Sequence, residues 1–365
     1  MFQSKVGFQF FADAGTLVNA TGNYVNAGTG QTTAFSGNDT LSPTMKTFYD
    51  TQLLENARPE LVHAQFAGKQ ALPRNHGKTV EWRKWNTLKD ADELTEGVIP
   101  TGQKMGQTSM TASIKQIGTY VSVSDQLELH ALDNVILGAT EELGASAGTS
   151  IDKRVRDTIA AGSNVQYCDK IGTGGAHTAV TSRASLDLTA KLTPDEVNKA
   201  VTTLKKLKAR KINGKYVAII HPSVAYDLRS SKEWIEAHKY AAVTELFNGE
   251  IGELHGVRFV ETTEAKVFNN STCPVKSAAG NEGTPPATYY SVYATLFLGE
   301  EAYRMIDPEG GNLEMIVKSK DEIGGPLNQF STVGYKAEMA TKIVYEDRMV
   351  RVESCSAYSD SDEAN

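Results

Sequence analysis

Thr288-Tyr-Tyr-Ser-Val-Tyr-Ala-Thr-Leu-Phe-Leu298, Glu314-Met-Ile-Val-Lys318, Ser331-Thr-Val-Gly-Tyr-Lys336, Thr341-Lys-Ile-Val-Tyr345 and Met349-Val-Arg-Val-Glu353 follow one another through the last third of the chain. Aromatic and β-branched runs bounded by Gly and Pro are strand signals, because branched side chains pack well on a pleated surface. The chain therefore ends in a succession of strands, and none of them carries a recognisable catalytic motif.

Upstream, the patterns change to helix and turn. Thr193-Pro194-Asp195-Glu196 is a helix start, with Thr as cap, Pro in the first turn and Glu196 placed to complete a capping box. Val197, Ala200, Val201, Leu204 and Leu207 mark its buried face. Asn213-Gly214 turns the chain into a buried strand, Tyr216-Val-Ala-Ile-Ile220, and His221-Pro222 opens another short helix. Residues 252–261 read as a turn and strand, and residues 269–287 as a surface loop. Residues 163–190 are turn-rich and predict a small hairpin.

The longest helix precedes these. Leu132, Val135, Ile136, Ala139, Leu143, Ala147, Ile151, Val155 and Ile159 form one apolar stripe, with Asp125 and Glu128 expected in the first turn. Run continuously to Ala161, such a helix would span roughly 50 Å. Before it lie two strand candidates, residues 79–85 and 109–123, the second alternating through Met110, Ala112 and Ile114. The polar stretch Asp90-Ala-Asp-Glu-Leu-Thr-Glu-Gly97 separates them, which fits a two-stranded ribbon projecting from the body. Such a ribbon is marginal alone and makes sense if a neighbouring subunit covers it. Ser42-Pro43 begins a helix carrying Met45, Phe48, Tyr49 and Leu53 until Arg58-Pro59. Residues 12–42 are rich in Gly, Asn, Thr, Ala and Ser, so alone they cannot offset their ordering entropy. Strands and helices mix without βαβα alternation, and the class is α+β.

Composition narrows the function. The 365 residues suffice for two compact units, and 40% hydrophobic content supports a core. A net charge of −7 argues against DNA gripping as the primary task. Cys168, Cys273 and Cys355 form no CxxC pair, which argues against a zinc ribbon or disulfide framework and suits a reducing compartment. Gln9 and Asp13 interrupt the apolar N-terminal stretch, so no signal peptide is expected, and no run approaches the ~18 apolar residues of a membrane span. A protein soluble and cytoplasmic when made is expected.

Candidate chemistry is sparse. The seven histidines, His63, His76, His130, His177, His221, His238 and His255, make neither HExxH nor a Cys/His metal spacing. Gly172-Thr-Gly-Gly175 lacks the Gly-Lys-Ser/Thr ending of a phosphate loop, and no Gly-x-Ser-x-Gly elbow occurs. Asn19, Asn38 and Asn270 match a glycosylation pattern that has no meaning without secretion. Lys205, Lys206, Lys208, Arg210 and Lys211 form the one dense basic cluster, explicable by a helix C-terminus, with packaged DNA or an acidic neighbour as the sharper reading. Asp360, Asp362 and Glu363 read as a solvated tail. No catalytic residue, cofactor or metal site is assigned, and the chain is not read as an enzyme.

Three separated blocks carry a resemblance. They are residues 44–70, with their order of aromatic, Arg58-Pro59, His63 and Phe66-Ala67; the stretch Phe297-Leu-Gly-Glu-Glu-Ala-Tyr303; and Gly325-Pro-Leu-Asn-Gln-Phe-Ser-Thr-Val-Gly-Tyr-Lys336 leading into Arg348-Met-Val-Arg-Val-Glu353. Together they resemble tailed-bacteriophage major capsid proteins with the HK97-like fold. The resemblance implies an N-terminal arm (1–42), a helical lead-in (43–75), an extended β-ribbon loop (76–120), a peripheral domain with a long spine helix (121–190), an axial domain (191–325) and returning peripheral strands with a tail (326–365).

It further implies a shell subunit that assembles into hexamers and pentamers of an icosahedral head enclosing double-stranded DNA, in the virion after assembly in the host cytoplasm. A nanocompartment shell of the same fold with enzyme cargo is the alternative. The first block begins early, leaving little room for a fused scaffolding domain, so a separate scaffolding protein and portal are expected. Arg83, Lys84 and Glu96 are ribbon charges that could pair across subunits. Some family members fuse subunits by a Lys–Asn isopeptide bond. No local motif marks Lys78, Lys84, Lys89 or Lys104 as such a nucleophile, so non-covalent assembly is expected.

Overall fold

The computed structural model describes residues 61–73, 77–130 apart from 87, 92, 95, 98, 100 and 101, then 135–172, 174–235, 250–277, 288–308, 313–319 and 329–365, together with residues 24–25 and 32–33. The helix expected from Ser42 and most of the N-terminal arm fall outside the described residues. Two compact units emerge. The first holds residues 1–61, 115–151 and 307–339, and the second holds 62–114, 152–306 and 340–365.

The second unit centres on a mixed sheet. Its order is Glu250–Leu254, Val257–Glu261, Tyr216–Ile220, Val292–Leu298, Met349–Ser354 and Val165–Tyr167, with Val267–Phe268 also paired to Val292–Leu298. The Tyr216–Ile220 and Val257–Glu261 strands run parallel, as do Met349–Ser354 and Val165–Tyr167, while the other pairs are antiparallel. Val292–Leu298 is buried at every position, which is why its sequence reads as an unbroken apolar and aromatic run rather than an alternation. Helices Pro194–Lys206 and Pro222–Arg229 contribute Val197, Ala200, Val201, Leu204, Val224, Ala225 and Leu228 to the same core. All three cysteines are free and buried, and burial pushes the Cys355 thiol up to about 12.

In the first unit, Lys115–Ser124 pairs antiparallel with residues 330–339 of the long strand Phe330–Ile343, and Glu314–Lys318 pairs along that strand's other edge. Leu143 and Ala147 of the helix Val135–Ala160 pack on Met315, Val333 and Tyr335. Two glycines permit this pairing. A Cβ on Gly118 would lie 2.5 Å from the Tyr335 carbonyl oxygen, and one on Gly334 would lie 2.7 Å from Tyr120 Cβ. Gly334 faces Tyr120 across the ladder, and its missing side chain leaves room for the tyrosine's own Cβ. Gly118→Val should cost about 2 kcal/mol or more, since the clash is with backbone rather than a movable side chain. A denaturation midpoint unchanged from wild type would refute that close approach.

Several sequence expectations need correction. Residues 109–123 form two strands, Gln107–Ser113 and Lys115–Ser124, because Ile114 is buried and donates its N–H to Lys78 O at 2.9 Å. The first strand belongs to the ribbon and the second to the long strand's edge. The long helix is described over Val135–Ala160, about 39 Å for its 26 residues; Asp125–His130 is helical as well, and residues 131–134 between them lie outside the described residues. Residues 331–336 and 341–343 belong to one strand, Phe330–Ile343, which ends before Val344 and Tyr345. Residues 250–261 form a hairpin of two strands, with His255 and Gly256 both at positive φ, as a tight two-residue turn requires.

The capping box is only half formed. Thr193 Oγ1 accepts from Glu196 N at 3.4 Å, but the Glu196 carboxylate takes Gln166 Nε2 at 3.0 Å and Lys199 Nζ at 2.7 Å instead of turning back to the cap. Gly172 N donates to Ala176 O at 2.8 Å and Gly175 N to Gly172 O at 3.0 Å, placing these glycines beside the small hairpin Lys170–Ile171 and His177–Thr178. His221 caps the Pro222 helix, its Nδ1 accepting from Ser223 N at 3.2 Å.

Candidate assembly interface

The ribbon is built by Thr79–Trp85 and Gln107–Ser113, paired antiparallel from Thr79 opposite Ser113 to Trp85 opposite Gln107. Alternation decides which face is held. Val80 and Trp82 are buried against Ile114, Ile306, Ala340 and Val344, while Thr79, Glu81, Arg83 and Trp85 face outward. Trp82 Nε1 donates to Gln70 Oε1 at 2.5 Å, tying the ribbon's base to the strand Gly68–Leu72.

Beyond Trp85 the apolar support ends. Asn86 N still donates to Gly106 O at 2.9 Å, and the Gln103 side chain bridges Lys89 N and O at 3.0 and 3.1 Å. These polar contacts shape the loop without covering its large side chains. Trp85, Leu88, Leu94, Ile99 and Met105 are exposed, with Ile99 93% and Leu94 77% accessible. Scattered apolar surface is ordinary, but five large exposed side chains within residues 85–105 make this segment the candidate interaction surface.

The three ribbon charges singled out from sequence do not behave alike. Arg83 Nε bonds Glu81 Oε1 at 3.1 Å on the same outward face, and its side chain is 62% exposed. Lys84 Nζ lies 3.3 Å from Asp347 Oδ2 and 4.9 Å from the Tyr345 ring, so it secures the ribbon within the subunit. Glu96 is an exposed turn residue beside Gly97, whose φ of +79° favours glycine. The sequence reading does not single out the exposed apolar residues of the same stretch, although Leu94 and Ile99 interrupt otherwise polar sequence.

Two buried acidic side chains tie distant segments of the second unit together. Glu353, fully buried, accepts from Arg183 Nε and Nη2 at 2.6 Å each and from Arg351 Nε at 2.9 Å. Arg183 also lies 3.6 Å over the Phe268 ring. Burial works to lower the Arg183 guanidinium, but its bonds to Glu353 outweigh that and hold it above its ordinary value. Asp152, the other, accepts from His63 N at 2.7 Å, Ala64 N at 3.0 Å and His63 Nδ1 at 2.5 Å, and Tyr303 OH donates to His63 O. The lead-in segment is thereby fixed to the second unit's part of the long helix.

The C-terminal segment is not the solvated tail its acidic sequence suggests. Asp362 Oδ2 accepts from Tyr293 OH at 2.6 Å and Ser223 Oγ at 3.2 Å, while Oδ1 accepts from Ser359 Oγ at 2.5 Å. Asp360 pairs with Lys276 at 2.7 Å. Burial works to raise the Asp362 carboxyl, but those three hydroxyls and the nearby His221 outweigh it and hold it below the usual carboxylate range. A depressed folded-state value means the stabilisation is present above the unfolded carboxyl range near pH ~4 and is lost as pH falls below it. Measured relative to the intrinsic exchange rate at each pH, the amides of residues 355–365 should therefore lose protection as pH falls below about 4, and Asp362→Asn should abolish most of that pH dependence. Equal protection of the segment above and below that pH would contradict the role of Asp362.

Among the described residues, no cluster of three His, Cys, Asp or Glu side chains is arranged to hold a metal, and no helix is long and apolar enough to cross a membrane.

Comparison with known proteins bears on what such a surface joins. The family model of phage capsid proteins matches residues 98–305. No curated protein sequence matches the chain. Among solved structures, the capsid of Ralstonia phage GP4 aligns with a TM-score of 0.57 at 13% identity, covering 82% of this chain and 89% of that one. The head of Helicobacter pylori bacteriophage KHP40 aligns with a TM-score of 0.57 at 11% identity, covering 80% and 90%. The capsid of cyanophage P-SCSP1u gives 0.55 at 15% identity, covering 80% and 87%. At these identities the likeness to the solved structures is one of fold.

Proposed function

Since the chain belongs to the phage capsid protein family and has the α+β, HK97-like capsid fold, we propose that it is the major capsid protein that tiles a tailed-phage head as hexamers and pentamers. The observation that carries the reading is the ribbon, anchored by Val80 and Trp82 and carrying exposed Leu94 and Ile99 at its far end. A surface of this kind gains its stabilisation from a second copy of the chain. Many such contacts, each modest, add by multivalency in a closed shell.

In this reading, residues 1–42 form an arm, 43–75 the lead-in and 76–120 the extended loop. Residues 121–190 with 326–365 make the peripheral domain around the spine helix, and 191–325 make the axial domain. Arg83 and Glu96 meet charges of a neighbouring subunit, whereas Lys84 acts from within its own. The role is structural and non-enzymatic, and contacts between subunits are non-covalent. Scaffold and portal are separate proteins, assembly takes place in the host cytoplasm, and the finished head encloses double-stranded DNA without reading its sequence. The family match favours a genome-bearing head over a nanocompartment with enzyme cargo.

Electron microscopy of the purified chain, alone and with co-expressed scaffold, tests this. Shells, tubes or six-fold rings are expected. A monomer of about 40 kDa, unchanged by concentration and by scaffold, would overturn it.

A further inference from the structure

The basic cluster after the helix Pro194–Lys206 is a separate surface, and its geometry carries more than a dipole argument. Between Val197 and Tyr226 the chain has seven Lys or Arg and no Asp or Glu, within a protein of net charge −7. A helix dipole accounts for Lys205 and Lys206 in the last turn. It does not reach Lys208, Arg210 and Lys211, which lie beyond the helix end.

The backbone here is fixed in a defined shape. Ala209 N donates to Leu204 O at 2.9 Å and Lys208 N to Lys205 O at 3.0 Å, the two bonds of a Schellman cap. The left-handed residue of that cap, where glycine is favoured, is Lys208 at φ +55°. A cation thus stands where backbone energetics prefer no side chain. Tyr216 OH donates to Ala209 O at 3.0 Å, Glu300 N to Arg210 O at 2.9 Å, and Ile212 and Lys215 close the following tight turn. Lys215 is engaged by Glu253 at 2.5 Å. Among the described residues, Lys205, Lys206, Lys208, Arg210 and Lys211 are exposed and make no ion pair, with Lys211 5.7 Å over the Tyr216 ring.

We infer that Lys205, Lys206, Lys208, Arg210 and Lys211 form a pre-ordered cationic platform that binds the phosphate backbone of nucleic acid. Rigid presentation lowers the ordering cost of binding, and the absence of acidic partners leaves the charges available for phosphates. The inference rests on the shell reading, since it makes this face the one that meets enclosed DNA. Binding should be independent of sequence and steeply salt-dependent, with log K falling by about 0.9 per phosphate contact for each unit of log salt.

The test uses the full chain and a fluorescent duplex of about 30 base pairs, titrated between about 50 and 200 mM salt. Lys208→Gly with Arg210→Gln and Lys211→Gln removes three cations, and the glycine relieves strain, so folding is preserved. The salt slope should shrink by roughly 2 to 3 and affinity should fall about tenfold or more. A control at exposed Lys69 and Lys232, both changed to Gln, should leave both unchanged. An unaltered slope and affinity in the triple variant would overturn the inference. Intact DNA binding with lost particle assembly would instead make the platform a contact for an acidic neighbouring subunit, which also overturns it. Wild-type shells that bind no DNA refute the platform alone, whereas a chain that never assembles refutes the shell reading.

Discussion

Leu94→Asp combined with Ile99→Asp should leave the subunit folded and abolish shell formation. Both side chains are almost fully solvent-exposed in the isolated chain, so exchanging them for a polar residue should move its stability by no more than about 0.5 kcal/mol each. In the proposed shell the same side chains would lie against a neighbour, and burying a Leu or Ile is worth about 1.5–3 kcal/mol. A buried, unpaired carboxylate adds a desolvation cost of several kcal/mol on top of that loss. Every subunit carries the same defect, and closure multiplies it over all contacts. The expected outcome is an unchanged thermal unfolding curve with particles replaced by capsomers or monomers. Normal heads from the double variant would mean that the tip does not contact a neighbour. The single variants should fall between, with Ile99→Asp the more damaging because it is the more exposed.

Glu353→Ala should be the most destabilising change within the subunit. It leaves Arg183 and Arg351 in a buried site with no carboxylate, and breaking a buried pair on one side costs about 3–5 kcal/mol. Arg351 retains the carbonyl oxygens of Ala160 and Gly162, and Arg183 retains Thr272 Oγ1 and the Phe268 ring, so some compensation survives. The strand Met349–Ser354 is paired on both sides, which spreads the damage to its neighbours Val292–Leu298 and Val165–Tyr167. Chemical denaturation should show the midpoint falling with little change in slope, and soluble yield should drop. A loss below about 1 kcal/mol would mean the two arginines are satisfied without Glu353.

Legibility in the sequence followed the range of the interaction. Thr193-Pro194, the run Tyr216–Ile220 and the run Val292–Leu298 were readable because capping and periodicity act within a few residues. The ribbon's existence was readable for the same reason, from two alternating runs around a polar stretch. Arg83, Lys84 and Glu96 are legible there as charges, whereas the exposure of Leu94 and Ile99 shows only in the structure, since it depends on where the loop lies beyond its buried base. Glu196 looked like a capping residue and instead serves Gln166 and Lys199, a choice made by packing against a neighbouring segment.

The amino-acid sequence by itself determined the α+β class, the strand-dense C-terminal third, the long apolar-striped helix, the unpaired cysteines and the phage capsid family. Tertiary structure alone decided that Val165–Tyr167 joins the sheet parallel to Met349–Ser354, that Glu353 lies in the core between Arg183 and Arg351, and that Asp362 is held by Tyr293 and Ser223. Local rules specify a residue's conformation through its immediate neighbours. Which partner satisfies a charge or an open strand edge is settled between residues as far apart as Arg183 and Glu353, 170 positions distant, once the whole chain has packed.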